Sequence, residues 1–165
     1  MTQQKKTKPS KFTPGVRAYR GSCHCGAYRF EADIDLGKGT TQCNCTSCSK
    51  SGWWGVHIKP EAFRRLAPAE LKAGPARPAL GRVRCETCGI VPYGHGELEV
   101  LGGEFYSLNV RCLDDVDFEG LRIHYLDGLN DTWALLSESP YVNPFVDAGG
   151  AGLRPYIPPT LERAS

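Results

Sequence analysis

Seven of the eight cysteines in this chain fall in three short stretches. They are Cys23-His24-Cys25-Gly26, Cys43-Asn44-Cys45-Thr46-Ser47-Cys48 and Cys85-Glu86-Thr87-Cys88-Gly89. A C-x-C or C-x-x-C turn sets two thiolates on one side of a tight loop. That arrangement suits a tetrahedral zinc ion, which takes sulfur at about 2.3 Å. Each outer turn supplies only part of a shell, so distant parts of the chain must meet for the metal to be held. Metal binding and folding are then one event.

The spacing leaves two ways to share the thiols. Two closed four-cysteine sites would use all eight, including the isolated Cys112. Alternatively the middle cluster, with three thiols in six residues, chelates one metal alone. Cys23, Cys25, Cys85 and Cys88 then complete each other, and Cys112 is left over. A four-thiolate shell is closed and structural, whereas three thiolates leave a fourth position for water or a ligand. The plainer version has two structural zincs, the second closed by Cys112 or a histidine.

Other cysteine chemistry fits less well. None of the usual iron–sulfur spacings is present. A redox dithiol at Cys85 and Cys88 would call for a strand-helix-strand context, and no helix is expected to follow. His24 lies between two ligand positions with its ring expected to point outward. His57, His95 and His124 fall in strand-like segments, where satisfied polar roles are the rule; His95 is the one nearest a cysteine turn. No Ser/His/Asp triad is apparent. Trp53 and Trp54, just after the middle cluster, are expected to pack, with one of them lining a pocket beside Lys50. The acidic run Asp114-Asp115-Val116-Asp117 reads as a solvated turn.

The bulk numbers describe an ordinary globular domain: 165 residues, 41% hydrophobic and 23% charged. A net charge of +2 gives little reason to expect nucleic acid or a membrane surface as partner. No apolar run approaches the ~20 residues of a membrane span, and the polar start lacks the apolar segment of a secretory signal. Clustered thiols at this density suit a reducing compartment, and the expected location is the cytoplasm.

The elements that must position these thiols read as mostly β, with few short helices. Residues 1–15 are polar and carry Lys5, Lys6, Lys8 and Lys11, predicting a disordered basic tail. The zinc-binding β domain is expected over 16–139, and residues 140–165 form a Pro/Gly-rich extension. Ala27 to Ala32 alternates apolar and polar residues, predicting a strand with one buried face. Trp53 to Ile58 predicts another. Pro60 to Leu66 suggests one helical turn with proline at an early position. Residues 67–81, with Pro68, Pro75 and Pro78, read as a surface loop or weak edge hairpin. Ile90 to Gly96 predicts strand and turn, Glu104 to Leu113 a long alternating strand, and Arg122 to Leu126 a further strand ended by Asp127-Gly128.

Taken together, Gly21-Ser22-Cys23-His24-Cys25-Gly26-Ala27, the middle cluster, Cys85-Glu86-Thr87-Cys88-Gly89, Leu108-Asn109-Val110-Arg111-Cys112-Leu113-Asp114 and Asp127-Gly128 resemble the glutathione-dependent formaldehyde-activating enzyme family, which includes centromere protein V. The resemblance spans roughly residues 17–130. It implies a zinc-stabilised β-tent-type fold and two zinc ions per chain. One is structural, on Cys23, Cys25, Cys85 and Cys88; the other is more labile, on Cys43, Cys45 and Cys48. It also implies glutathione as a small-thiol partner, joined to formaldehyde as S-(hydroxymethyl)glutathione. The chain departs from the pattern at Asn44, where a histidine is common, and at Ser49-Lys50, where a more basic pair is often seen.

The expected function is therefore a zinc-dependent carbon–sulfur lyase-type enzyme acting on a thiol adduct. Zinc lowers the pKa of a bound thiol, and the thiolate is the nucleophilic form. Cys43, Cys45 and Cys48 act through the metal, while Lys50, Trp53 and Trp54 shape the pocket and attract a carboxylate. The rival is a non-enzymatic zinc module that binds a protein or nucleic acid.

Overall fold

The computed structural model describes residues 11–68 and 80–144. The chain is mostly β, as expected. Strands β1 (Arg17–Ser22) and β2 (Arg29–Ile34) form an antiparallel hairpin around the first cysteine turn, in register from Arg17↔Ile34 to Ser22↔Arg29. Phe30, Ala32 and Ile34 of β2 are buried, and the residues between them are not, which is the two-residue period of a strand with one covered face. β5 (Phe63–Ala67) pairs with the other edge of β2 to complete a three-stranded sheet, β1-β2-β5.

The second sheet is larger. It contains β3 (Thr40–Cys43), β4 (Trp54–Ile58), β6 (Leu80–Val83), β7 (Tyr93–Leu98), β8 (Gly103–Asn109), β9 (Arg122–Leu126) and β10 (Leu135–Pro140). Their order is β10-β9-β3-β4-β8-β7-β6. Neighbours are antiparallel except β3 and β9, which run parallel with Cys43 opposite Leu126. That pairing brings the middle cysteine cluster beside the Asp127-Gly128 turn.

Aromatic contacts join the two sheets. Phe63 of β5 stacks on Tyr106 of β8 with centroids 4.0 Å apart, and Phe30 of β2 meets Tyr93 of β7 edge-on at 5.6 Å. Further along the same core, Trp54 packs against Phe118 and Tyr141, and its indole N–H donates to Thr40 Oγ1 at 2.6 Å. The donor of a fully buried indole is thereby satisfied, as burial of a polar group demands.

Several local expectations change. Only Pro60–Ala62 forms a helical turn; from Phe63 the chain is strand, because β2 offers an edge and Phe63 a core contact. β8 stops at Asn109, whose side chain accepts the Arg111 N–H and turns Val110–Cys112 into a 3₁₀ segment. A short helix α1 (Thr46–Ser51) and strand β10 were not expected.

Both domain edges also shift. Lys11 pairs with Asp117, Phe12 packs on the core and Gly15 N–H donates to Asp35 at 3.0 Å, so residues 11–15 belong to the body rather than to a tail. Tyr141 N–H donates to Leu121 O and its ring meets Trp54, so the body continues past 139. Of the tail expected over 1–15, the loop over 67–81 and the extension over 140–165, residues 1–10, 69–79 and 145–165 lie outside the described residues. Among the described residues, no helix is long and apolar enough to cross a membrane.

Candidate metal centres

Two similar turns build the first centre. Cys23 N–H donates to Tyr28 O at 3.0 Å, and Cys85 N–H donates to Ile90 O at 2.8 Å, each spanning five residues. Both loops turn through a glycine with positive φ, Gly26 at 75° and Gly89 at 77°. A side chain there would meet the left-handed strain that glycine avoids. The turns belong to different sheets. Cys23 and Cys25 follow β1, while Cys85 and Cys88 lie between β6 and β7.

The four Sγ atoms converge within 4.8 Å of one another. Cys25 Sγ stands 3.6 Å from both Cys23 Sγ and Cys85 Sγ, close to the about 3.8 Å that a tetrahedron of 2.3 Å Zn–S bonds requires. All eight cysteines are free thiols. Burial pushes the Cys23 thiol up to about 12. At Cys88 burial also acts upward, but N–H groups of Ile90 and Cys25 outweigh it and hold the thiol down to about 6. Four sulfurs with this spacing fit one metal ion with no position left open.

The second centre is local. Cys43 ends β3, Cys45 caps α1 and Cys48 lies one turn into that helix. Their sulfurs also lie within 4.8 Å of one another, and no fourth Cys, His, Asp or Glu joins them among the described residues. Backbone donors fix the set: Cys45 N–H points to Cys43 Sγ at 3.3 Å and Cys48 N–H to Cys45 Sγ at 3.4 Å. Burial and the neighbouring thiols push Cys48 up to about 12, against the opposing pull of the Arg82 charge. Cys45 is held below the usual thiol range; burial would raise it, but the Cys48 N–H and the flanking thiols prevail.

A compact loop walls this centre. Asp127 accepts from Asn44 Nδ2 at 3.2 Å, Asn130 Nδ2 at 3.0 Å and Thr132 Oγ1 at 3.1 Å. Asn44, between two of the cysteines, returns a bond by accepting Leu129 N–H at 2.8 Å. A Cβ on Gly128 would lie 2.3 Å from Cys43 Sγ, so glycine leaves the space that the sulfur occupies. On the other side stands Arg82 of β6. Its Nη2 is 3.3 Å from Cys48 Sγ, its Nη1 donates to Ser51 Oγ at 2.9 Å, and its guanidinium lies over the Trp53 ring at 4.5 Å.

The anticipated pocket residues separate. Trp53 adjoins the centre through Arg82, and its indole N–H donates to Ser107 Oγ at 3.2 Å. Trp54 faces the other way along β4 and is 0% exposed. It serves the core, because consecutive strand residues point to opposite faces. Lys50 occupies the exposed last turn of α1. Cys112 is buried 4.0 Å from Val91 O and joins neither sulfur group, so it does not close the second shell. The histidines do not close it either. His95 rests on Tyr106, and His124 contacts Lys38 O and Glu138. Arg82 and Ser51 were not among the expected site residues, and Asp127-Gly128 was expected as a strand end and as part of the resemblance, without a role at the centre.

Comparison with protein-family models finds no match, and comparison with curated proteins finds none either. Among solved structures the chain is similar to a crystal structure of a Rhodobacter sphaeroides protein, a structural-genomics target. The two share 26% identity, with a TM-score of 0.44, over 59% of this chain and 90% of that one. That likeness is too weak to carry an argument about fold or function.

Proposed function

We propose that the chain holds two zinc ions and that its three-cysteine centre serves a carbon–sulfur lyase-type reaction on a thiol adduct, of the kind found in the formaldehyde-activating family. The observation that carries this reading is the unequal donor count, four converging sulfurs at one centre and three at the other. An all-thiolate donor set favours zinc over harder divalent ions. When bound by three thiolates, zinc supplies one further position and acidifies a thiol that enters it.

The chain's own residues prepare that position. Gly128 leaves room for Cys43, backbone N–H groups aim Cys43 and Cys45, and the Asp127 loop braces Asn44 between them. Arg82 sets a positive charge 3.3 Å from Cys48 Sγ, which would favour a thiol with carboxylate groups, such as glutathione. In the reaction with formaldehyde the sulfur–carbon bond forms as the carbonyl π bond opens. The thiol proton passes to the carbonyl oxygen, giving S-(hydroxymethyl)glutathione.

One observation favours the rival binding-module reading. Trp133, Leu135 and Leu136 are exposed along or beside the edge strand β10. Exposed apolar groups at an unpaired edge suit a protein contact.

Exchange spectroscopy by NMR on glutathione and formaldehyde separates the two readings, with Cys45→Ser as control. The native protein should accelerate exchange and the control should not. Equal rates for both, with metal present in the native protein, would remove the enzyme reading and leave the binding module.

A further inference from the structure

We propose that Arg82 is a positioning residue of the three-cysteine centre, whose charge lets an anionic sulfur ligand occupy the fourth position. The inference rests on the open-centre reading given above.

Three contacts hold the guanidinium still. Its Nη2 meets Cys48 Sγ at 3.3 Å, its Nη1 donates to Ser51 Oγ at 2.9 Å, and its plane lies over Trp53 at 4.5 Å. An arginine so fixed is no wandering surface cation. Its fork is pre-aimed, and its stacked face is less hydrated than a lysine ammonium would be. Among the described residues, no carboxylate forms an ion pair with it. The Nη2 group is directed at the sulfur cluster.

Charge counting shows why this matters. Three thiolates around a divalent ion carry a net charge near −1. A thiolate entering the fourth position would raise that to −2, and like charge opposes it. One guanidinium donating to Cys48 cancels one of those charges at hydrogen-bond distance, in a half-buried place where salt screens it poorly. A neutral ligand such as imidazole adds no charge and gains little from the cation. Arg82 thus selects for ligand charge at the metal. Lys50, the cation apparent from the sequence, has its place on the exposed outer turn of α1.

The test uses the full chain with both centres loaded, first with zinc and then with cobalt as a visible probe. A chromophoric chelator reads the affinity of the weaker metal, and the cobalt bands read binding of 2-mercaptoethanol and of imidazole. Outer-sphere partners of metal ligands typically change affinity by 10–100-fold. Arg82→Met should weaken the labile metal by about tenfold or more, and should weaken 2-mercaptoethanol by about tenfold relative to imidazole. Arg82→Lys should recover much of the thiol preference. If Arg82→Met fails to fold, Ser51→Ala carries the test, with a smaller shift in the same direction. An unchanged thiol-to-imidazole ratio in Arg82→Met, or in Ser51→Ala where that variant stands in, overturns the role of Arg82 alone. An equal loss of both ligands assigns Arg82 to packing and overturns it too. Native protein that holds two metals but takes neither ligand overturns the open-centre reading itself.

Discussion

The four-cysteine centre draws its sulfurs from two turns on different sheets, one after β1 and one between β6 and β7. The three-cysteine centre takes all its sulfurs from one stretch of six residues between β3 and α1. The first therefore clamps parts of the chain that would otherwise be free to separate. The second clamps almost nothing, because its ligands are already neighbours in sequence. Closure of a long loop by a metal clip is where such a clip adds most stability. The comparison teaches that two cysteine clusters with similar sulfur spacing can be built in opposite ways, one joining two sheets and the other confined to one stretch of chain.

The strongest way to break that contrast is to remove one sulfur from each centre. Cys85→Ser should lose the folded state, since structural zinc contributes apparent binding energy of roughly 10 kcal/mol or more. Cys45→Ser should stay folded and lose one metal. Circular dichroism melts with elemental analysis of the same samples make the check, and equal damage from both changes would erase the distinction.

A gentler cut sharpens it. Among the described residues Asp127 accepts from donors on Asn44, Asn130 and Thr132, and those bonds, led by Asn130, hold its carboxyl below the usual carboxylate range. Asp127→Asn turns a donor toward donors. It should speed loss of the labile metal to a chelator several-fold and leave the four-cysteine centre occupied. Release of both metals at once would show that the loop supports more than one centre.

The smallest expected effect lies in the three-stranded sheet, between β2 and β5. Arg64 donates to both oxygens of Asp33 at 2.8 Å, and this bond chiefly holds the Asp33 carboxyl below its ordinary value. A depressed carboxylate contributes stability above the unfolded pKa of about 4 and loses it as pH falls through the lower folded value. Urea melts at neutral pH and near pH 3 should therefore show a shallower acid loss in Asp33→Asn than in the native chain. The difference should be slight, because the pair is part-exposed. An identical acid limb would mean that the pair contributes nothing to folding.

What could be read in advance follows the range of the interaction. Spacing within a turn is local, so the three cysteine turns were legible; how they share their thiols stayed open between four-and-four and four-and-three, because only the fold brings the two outer turns together and leaves Cys112 apart. The buried alternation of β2 was equally plain. α1 escaped notice because six residues are too few to show a helical period. β10 escaped because its adjacent Leu135 and Leu136 do not alternate with polar residues, and Ser137-Glu138-Ser139 reads as loop. Trp53 and Trp54 could not be told apart until β4 fixed which of the adjacent faces each would take. Arg82 was invisible for a different reason. A strand arginine carries no mark of the sulfur it will meet, and Cys48 lies in another element altogether.

The parallel pairing of β3 with β9 has a consequence for synthesis on the ribosome. Cys43, Cys45 and Cys48 emerge together and can take up metal as soon as they are made, while Cys85, Cys88 and the Asp127-Gly128 wall are still to come. The first metal captured would thus sit in the three-cysteine centre. Domains generally fold as the chain lengthens, so early capture would keep three thiols occupied until β9 arrives to finish their surroundings. The three-cysteine centre would then be filled before its walls exist and enclosed only when β9 pairs with β3.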